Sequence, residues 1–311
     1  MNINLRLDAK GWGMLLLLSV FWGSSFLFVK IALEELSPLM IVVTRVTLAA
    51  IVSLSLMKLL SLSLPKGWSI WRSFLVMGML NNIVPFLLIV WGQQYILAGV
   101  AAILNAATPA FTVIVAQLFT EDEKATAAKA IGISVAISGV AIVIGFNALT
   151  SFSITNLGQL AILFAGLSYA FASVFGRKFG RAGVAPLVVT TGQLVISSLL
   201  LLPAAFFVQP DALHLDISLK VLMALTGLAV ISTAFAYLLY FKLIATAGAT
   251  NATLVTVLVP VSAAFLTWLV LGEKLPDNAY SGMSVIVIGL LILDGRLIRW
   301  LKKNIFNTRR E

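Results

Sequence analysis

The sequence predicts an all-α membrane protein with ten transmembrane helices, arranged as two inverted five-helix repeats with both termini in the cytoplasm. Three observations predict it: an apolar composition, ten apolar runs of membrane-spanning length, and basic residues gathered at alternate loops. Apolar residues make up 60 % of the 311 residues and charged residues 11 %, against about 45–50 % and about 25 % in soluble domains. A soluble core of this size cannot hide that excess, so the composition fits lipid.

Each apolar run is close to the length that crosses a bilayer. A hydrocarbon core of about 30 Å requires about 20 helical residues at a rise of about 1.5 Å per residue. Short loops rich in proline, glycine and charge separate the runs, and none is long enough to hold a soluble domain. The predicted helices span residues 12–33, 38–58, 73–92, 98–119, 128–146, 157–176, 186–208, 219–241, 249–271 and 279–298.

The basic residues set the predicted orientation. With the N-terminus in the cytoplasm and ten alternating helices, seventeen of the 21 Lys and Arg residues lie at cytoplasmic ends. Lys30, Lys220 and Lys274 lie on the opposite face, and Arg45 lies inside the second helix. This bias follows the positive-inside rule. It accounts for the net charge of +9 through topology and contact with membrane lipid, without a nucleic-acid partner.

The residue inventory disfavours an enzyme. The chain has no cysteine and one histidine, His214, which excludes a thiolate nucleophile, a Cys-ligated metal and a His-Glu-x-x-His zinc site. No glycine-rich phosphate loop is present, so neither ATP-driven activity nor an ATPase subunit is indicated. We expect no catalytic residue, no cofactor and no metal.

Several residues recur about half a chain apart. The offset between paired positions stays between 148 and 151 residues. The pairs are Pro38 and Pro186, Gly78 and Gly227, Phe86 and Phe235, Pro109 and Pro260, Gly132 and Gly282, and Gly139 and Gly289. The sequence therefore predicts one five-helix repeat over residues 10–146, a second over 157–298, and a basic cytoplasmic tail over 299–311.

An odd number of helices per repeat bears on function. The second repeat enters the membrane from the opposite side, so a pseudo-twofold axis in the membrane plane relates the two halves. Such halves can exchange conformations and open one mid-membrane site to either side in turn. The pattern is typical of small-molecule transporters, and no extramembrane domain favours a receptor or an assembly factor.

A set of motifs resembles the EamA branch of the drug/metabolite transporter superfamily. The motifs are Phe21-Trp22-Gly23-Ser24-Ser25-Phe26 in helix one, Pro38 followed by Arg45 in helix two, Pro109 and Pro260 in helices four and nine, and Gly272-Glu273 closing helix nine. The resemblance covers about residues 10–298. One departure is Glu121-Asp122, which stands where the family usually shows Gly-Glu.

The resemblance implies ten helices, cytoplasmic termini and a central cavity near the membrane midplane. It also implies outward transport or exchange of small metabolites, commonly amino acids, in the bacterial inner membrane. The chain looks most like the amino-acid exporters of the family. Exporters of drugs, nucleotides or sugars with the same fold are the alternative, and a channel-like pore is a second one.

Polar and aromatic side chains inside the apolar runs are candidates for the solute path, because an unsatisfied polar group is costly in hydrocarbon. Thr233, Tyr237 and Tyr240 have the i, i+4, i+7 spacing of one helix face. Amides and hydroxyls can bind amino and carboxylate groups while rings pack on a side chain. The predicted cavity residues are Trp22, Asn81, Asn82, Trp91, Asn105, Thr108, Tyr169, Ser173, Thr233, Tyr237, Tyr240, Thr253 and Thr256.

Each candidate also has a structural interpretation. Ser and Thr commonly mediate close packing between membrane helices. Pro109 and Pro260 can act as hinges in rocking helices or as fixed kinks. Arg45 can attract a carboxylate or lock a helix end, since an intramembrane charge is a functional hypothesis by default.

The positions of the acidic residues bear on energy coupling. No Asp or Glu lies mid-membrane in the predicted helices, and His214 lies in a predicted loop. Proton-coupled pumps usually carry an intramembrane carboxylate or histidine. The sequence therefore favours facilitative uniport or exchange.

Overall fold

The computed structural model describes residues 8–120, 126–145, 153–209 and 216–295. Within these ranges all regular secondary structure is helical and no strand occurs. The all-α prediction is thus confirmed for this part of the chain. The predicted basic tail at 299–311, the Glu121-Asp122 pair and His214 lie outside the described residues.

Eight helices in the described ranges are long and apolar enough to cross a membrane. They are α1 (Ala9–Ala32), α2 (Pro38–Leu59), α3 (Trp68–Gly92), α4 (Ala98–Phe119), α5 (Ala127–Ile144), α6 (Ile154–Arg181), α7 (Pro186–Val208) and α8 (Leu219–Ala247). Two shorter apolar helices follow, α9 (Val255–Leu271) and α10 (Asp277–Leu293). The last two helices are shorter than the predicted runs 249–271 and 279–298, because α9 begins at Val255 and α10 ends at Leu293.

Three of these helices change geometry along their length. Helix α3 has a π-helical segment at Met79–Ile83, and α8 has one at Gly227–Phe235. Helix α4 consists of Ala98–Asn105 and Thr108–Phe119, joined by a turn. A short helix, Ala249–Ala252, precedes α9.

Sequence signals at the helix ends explain why these boundaries are readable. The Ser37 hydroxyl accepts a hydrogen bond from the Met40 amide, and Pro38 occupies the first turn of α2, where its missing N–H costs nothing. Ser218 caps α8 in the same way. Gly272 ends α9 at φ 66°, a left-handed conformation that favours glycine.

Helices α5 and α10 cross in close contact along four glycines. Gly132 faces Gly289, and Gly139 faces Gly282, so the two helices run antiparallel at the crossing. A Cβ atom at Gly139 would lie 2.6 Å from the backbone nitrogen of Ile286. The seven-residue glycine spacing that recurs in both halves of the sequence therefore forms the two sides of one helix contact.

One end of the bundle is joined by polar contacts between loops, and we call it the capped end (loops 33–37, 93–97 and 272–276). The Lys30 ammonium donates to the carbonyl oxygens of Gln93 and Ile96, at 2.8 and 3.1 Å. These carbonyls follow the C-terminus of α3, where the helix dipole favours a cation.

A carboxylate binds the next helix start at the same end. Glu273, of the Gly-Glu motif, accepts hydrogen bonds from the backbone N–H groups of Ala98 and Gly99 at 3.1 and 3.5 Å. These are unpaired donors at the N-terminus of α4, where negative charge is favourable. The motif thus has a structural role, because it ties the end of α9 to the start of α4.

A third contact involves the exposed loop residue Glu35. Hydrogen bonds from the side chain and the backbone N–H of Ser218 lower the pKa of Glu35. A carboxyl group whose pKa is lowered in the folded state stabilises the fold at pH values above its ordinary pKa. That stabilisation is lost as the pH falls through the folded-state pKa. This loop contact is therefore formed at neutral pH.

The glycine crossing predicts a difference between two single-methyl substitutions. Gly139→Ala places a methyl group against the α10 backbone and is expected to destabilise by about 1–3 kcal/mol through overpacking. Gly13→Ala, on an exposed face of α1 with no atom within 4 Å, serves as the control. Thermal unfolding of the purified protein in detergent should show a lower midpoint for Gly139→Ala alone; equal midpoints would contradict the packing.

Candidate functional site

Polar side chains from four helices meet in the interior of the bundle, and we call Arg45, Asn81, Gln193, Thr233 and Tyr237 the central cluster. The Asn81 amide nitrogen donates to Gln193 Oε1 at 3.2 Å and to Tyr237 Oη at 3.3 Å. Asn81 lies on α3, Gln193 on α7 and Tyr237 on α8. The amide therefore bridges one helix of the first half and two of the second.

Arg45 brings a positive charge to this cluster from α2. Its Nε donates to Thr233 Oγ1 at 3.2 Å, and its guanidinium carbon lies 3.7 Å from the centre of the Phe86 ring. Tyr169 and Tyr237 lie close enough to interact with it electrostatically. Arg45 is 8 % exposed, and no carboxylate among the described residues forms an ion pair with it.

The two π-helical segments place these groups. Met79–Ile83 carries Asn81 and Asn82, and Gly227–Phe235 carries Thr233. The segments begin 148 residues apart, at the offset that relates the two halves. π-helical segments within α-helices occur frequently at functional sites.

A hydroxyl group donates to one backbone carbonyl of each π segment. The Thr233 hydroxyl donates to the Leu228 carbonyl at 2.8 Å. In the other half, the Ser168 hydroxyl on α6 donates to the Leu80 carbonyl at 2.7 Å. These paired bonds stabilise the irregular backbone in an apolar bundle, where an unpaired carbonyl is costly.

Aromatic rings line the region next to the cluster. The Trp22 and Tyr240 ring centres are 5.2 Å apart, and Phe241 packs against both Tyr240 and Tyr237. Trp22, Tyr169 and Tyr240 all pack against the same apolar core. Asn81 and Tyr237 are half-buried although both lie mid-helix, whereas Arg45, Gln193 and Thr233 are buried.

Asn82 and Ser197 form a second polar group beside the central cluster. Its amide nitrogen donates to Ser197 Oγ at 3.2 Å, while its Oδ1 is buried without a partner. Ser197 in turn donates to the Gln193 carbonyl at 2.7 Å. One acceptor beside the central cluster is therefore unused by the protein.

Asn105 and Thr108 flank the turn inside α4. The Thr108 hydroxyl donates to the Asn105 carbonyl at 2.6 Å, and Asn105 Oδ1 is buried without a partner. Pro109 lies in the first turn of the second part of α4. The break therefore precedes the proline, where a helix start tolerates its missing N–H.

Thr253 and Thr256 lie at the corresponding place near the start of α9. Thr253 falls between the short helix and α9, and the Thr256 hydroxyl donates to its carbonyl at 2.7 Å. Pro260 lies within the continuous helix Val255–Leu271. The two prolines thus occupy different helical positions in the two halves.

Asn81, Thr233 and Tyr237 are the predicted cavity residues that belong to the central cluster, and Trp91 and Ser173 are among those that lie apart from it. Trp91 is in the last turn of α3 and packs against Tyr95, with ring centres 5.1 Å apart. Ser173 is exposed on α6. Two apolar grooves, of about 440 and 220 Å³, include no member of the cluster; Leu222 and Met223 line the first, and Val43 and Phe206 the second.

Sequence reasoning missed Gln193, Phe86 as the ring beside Arg45, and both π segments. Gln193 was obscured because its partner is 112 residues away in the chain. The available signal for the π segments was Gly78 and Gly227, which mark corresponding positions in the two halves. A Cβ at Gly227 would lie 2.7 Å from the Phe28 ring, so that glycine also permits close packing.

A bundle of long apolar helices with amide, hydroxyl and guanidinium groups at its centre has the architecture of a multi-pass membrane transporter. The profile of the EamA-like transporter family matches residues 9–145 and 156–293. The chain therefore belongs to the EamA-like transporter family, which confirms the identification made from the sequence motifs.

Relatives span nearly the whole chain. The chain is 28 % identical to a probable amino-acid metabolite efflux pump of Escherichia coli K12, over 89 % of this chain and 92 % of the relative. It is 26 % identical to the uncharacterized inner membrane transporter YedA of the same strain, over 91 % of this chain and 90 % of the relative. It is 22 % identical to the uncharacterized transporter YoaV of Bacillus subtilis, over 88 % of this chain and 93 % of the relative.

A solved crystal structure shares the fold. It matches with a TM-score of 0.67 at 16 % sequence identity, covering 93 % of this chain and 99 % of the solved one. At this identity the match supports the helical architecture alone.

Proposed function

We propose that this protein carries small metabolites, with amino acids as the main class, outward across the bacterial inner membrane by alternating access. Transport proceeds as facilitative uniport or as exchange. The observation that carries the proposal is the bridge at the centre, where Asn81 of the first half hydrogen-bonds Gln193 and Tyr237 of the second.

The proposed architecture is ten membrane-spanning helices in two inverted five-helix repeats, with both termini in the cytoplasm. The family profile matches the chain twice, once in each half. The π segments recur at the repeat offset, and α5 and α10 cross in antiparallel contact through equivalent glycines. Both features suit two halves that move about a shared central site.

The chemistry of the centre suits an amphipathic zwitterion. The Arg45 guanidinium and the amide and hydroxyl donors can bind a carboxylate, and the unpaired Asn82 Oδ1 can accept from an ammonium group. The rings of Trp22 and Tyr240 offer an apolar surface for a side chain. A relative named for amino-acid metabolite efflux supports the same class.

Alternating access gives the central hydrogen bonds a function. A solute that enters the cluster replaces protein hydrogen bonds with its own, which loosens contacts between the halves. Asn81 and Tyr237 would separate as the site turns toward the other side. The cluster contains no carboxylic acid, so a proton carrier is absent from it and the solute gradient supplies the driving force.

Counterflow tests this proposal. In proteoliposomes loaded with unlabelled amino acids, the protein should accumulate the matching labelled amino acid with saturable kinetics. Tyr237→Phe removes the hydroxyl that Asn81 contacts and that the solute would bind in its place. It should slow counterflow about tenfold, because a lost hydrogen bond to the solute costs about 1.5 kcal/mol. Tyr280→Phe, on an exposed face of α10, should transport as the wild type does.

Two results would count against the carrier. Flux that rises linearly with concentration and shows no exchange stimulation would indicate a channel. Equal rates for Tyr237→Phe, Tyr280→Phe and the wild type would remove the central cluster from the path. A parallel screen with sugars, nucleosides and dyes separates amino acids from the alternative substrates.

The ten-helix arrangement predicts on which side of the membrane two loops lie. Because the chain has no cysteine, Ser63→Cys and Lys274→Cys each create a unique thiol at an exposed loop position. A membrane-impermeant maleimide should label Ser63→Cys only from the cytoplasmic side and Lys274→Cys only from the periplasmic side. Labelling of both from one side would contradict the arrangement.

A further inference from the structure

Arg45 holds a buried charge that the protein does not neutralise. It lies seven residues into α2, about 10 Å from the capped end at a rise of about 1.5 Å per residue, and is 8 % exposed. None of the described acidic residues forms an ion pair with it. Buried charges are normally paired, because desolvation of an isolated ion is costly.

The contacts of Arg45 leave most of its hydrogen-bonding capacity unused. A guanidinium group has five N–H donors, and only Nε is engaged, with the Thr233 hydroxyl. The terminal nitrogens make no hydrogen bond to a described residue. The Phe86 ring, whose centre lies 3.7 Å from the guanidinium carbon, stabilises the cation from one side. It leaves the N–H donors of the terminal nitrogens unoccupied.

The groups around Arg45 are neutral. Asn81, Gln193, Thr233 and Tyr237 supply amides and hydroxyls, and Tyr169 adds a further phenol. The central cluster therefore has a net positive charge in a low-dielectric setting, where charge–charge interactions are strong. Such a site attracts anionic groups and repels cationic ones.

We infer that Arg45 binds the carboxylate of the transported solute and thereby makes the carrier select carboxylate-bearing solutes over amines. The inference rests on the proposed carrier function and names the group that this site recognises. A planar guanidinium fork matches a carboxylate in two parallel hydrogen bonds. The solute supplies the counter-charge that the bundle lacks, so the occupied centre is better compensated than the empty one.

A ligand series on the unmodified protein tests the selectivity. Leucine counterflow is measured in competition with three analogues. Leucinamide lacks the carboxylate charge, isoamylamine lacks the carboxyl group altogether, and 4-methylpentanoate lacks the amine. If leucine is not transported, the matching phenylalanine series takes its place. The two compounds without a carboxylate should inhibit at least about tenfold more weakly than the amino acid, since hydrogen bonds to charged groups are the strong ones.

Variants then assign the selectivity to Arg45. Arg45→Gln should reduce the preference for the amino acid over its amide to about one, and Arg45→Lys should retain part of it because the charge remains. Lys178→Gln, an exposed cation on α6, should leave the preference unchanged. If Arg45→Gln fails to fold, Arg45→Lys and the ligand series on the wild type still test whether Arg45 selects for a carboxylate.

The outcomes separate the two proposals. Absence of counterflow for every solute tested would overturn the carrier itself. Saturable counterflow in which amides and amines compete as well as amino acids would overturn the role of Arg45 alone. Loss of rate in Arg45→Gln with an unchanged preference would likewise assign Arg45 a purely structural role.

Discussion

The described helices depend on one constraint: a polar group carried into an apolar bundle must find its partner inside the protein. The Lys30 ammonium binds carbonyls at the end of α3, and the Glu273 carboxylate binds N–H groups at the start of α4. Hydroxyl groups of Thr233 and Ser168 bind carbonyls of the π segments. Arg45 differs from these groups, because its partners are a neutral hydroxyl and an aromatic face.

The same constraint divides the molecule into a tight part and an adaptable part. The α5–α10 crossing brings backbones together through glycines and leaves no room for a methyl group. The centre instead uses long side-chain hydrogen bonds and irregular helix geometry, which can be exchanged for contacts to a solute. This contrast supports the proposal that two halves move about a polar centre.

Much of the fold was readable from the sequence because lipid imposes a simple pattern. Apolar runs, the Ser37-Pro38 helix start and Gly272 placed most helices within a few residues of their observed ends, although α9 begins at Val255 and not at the predicted residue 249. The recurring glycines marked a real contact, although the sequence did not reveal that Gly132 faces Gly289 and Gly139 faces Gly282. Glycines at equivalent positions of the two halves are therefore not the glycines that face each other in the structure.

The site was less readable, for a physical reason. Asn81, Tyr237, Thr233 and Arg45 were recognisable one by one as polar groups in apolar runs. Their partners were not, because contacts such as Asn81–Gln193 join helices more than 100 residues apart. The π segments also escaped, since the helix pattern of α3 and α8 assumes a regular turn, and one wider turn changes which residues share a face.

A structure of the protein with a transported amino acid would show where the solute binds. We expect solute density between α3 and α8, with the carboxylate within hydrogen-bonding distance of the Arg45 terminal nitrogens and the Asn81–Tyr237 contact replaced. Density located elsewhere, with the central cluster unchanged from the solute-free form, would contradict it.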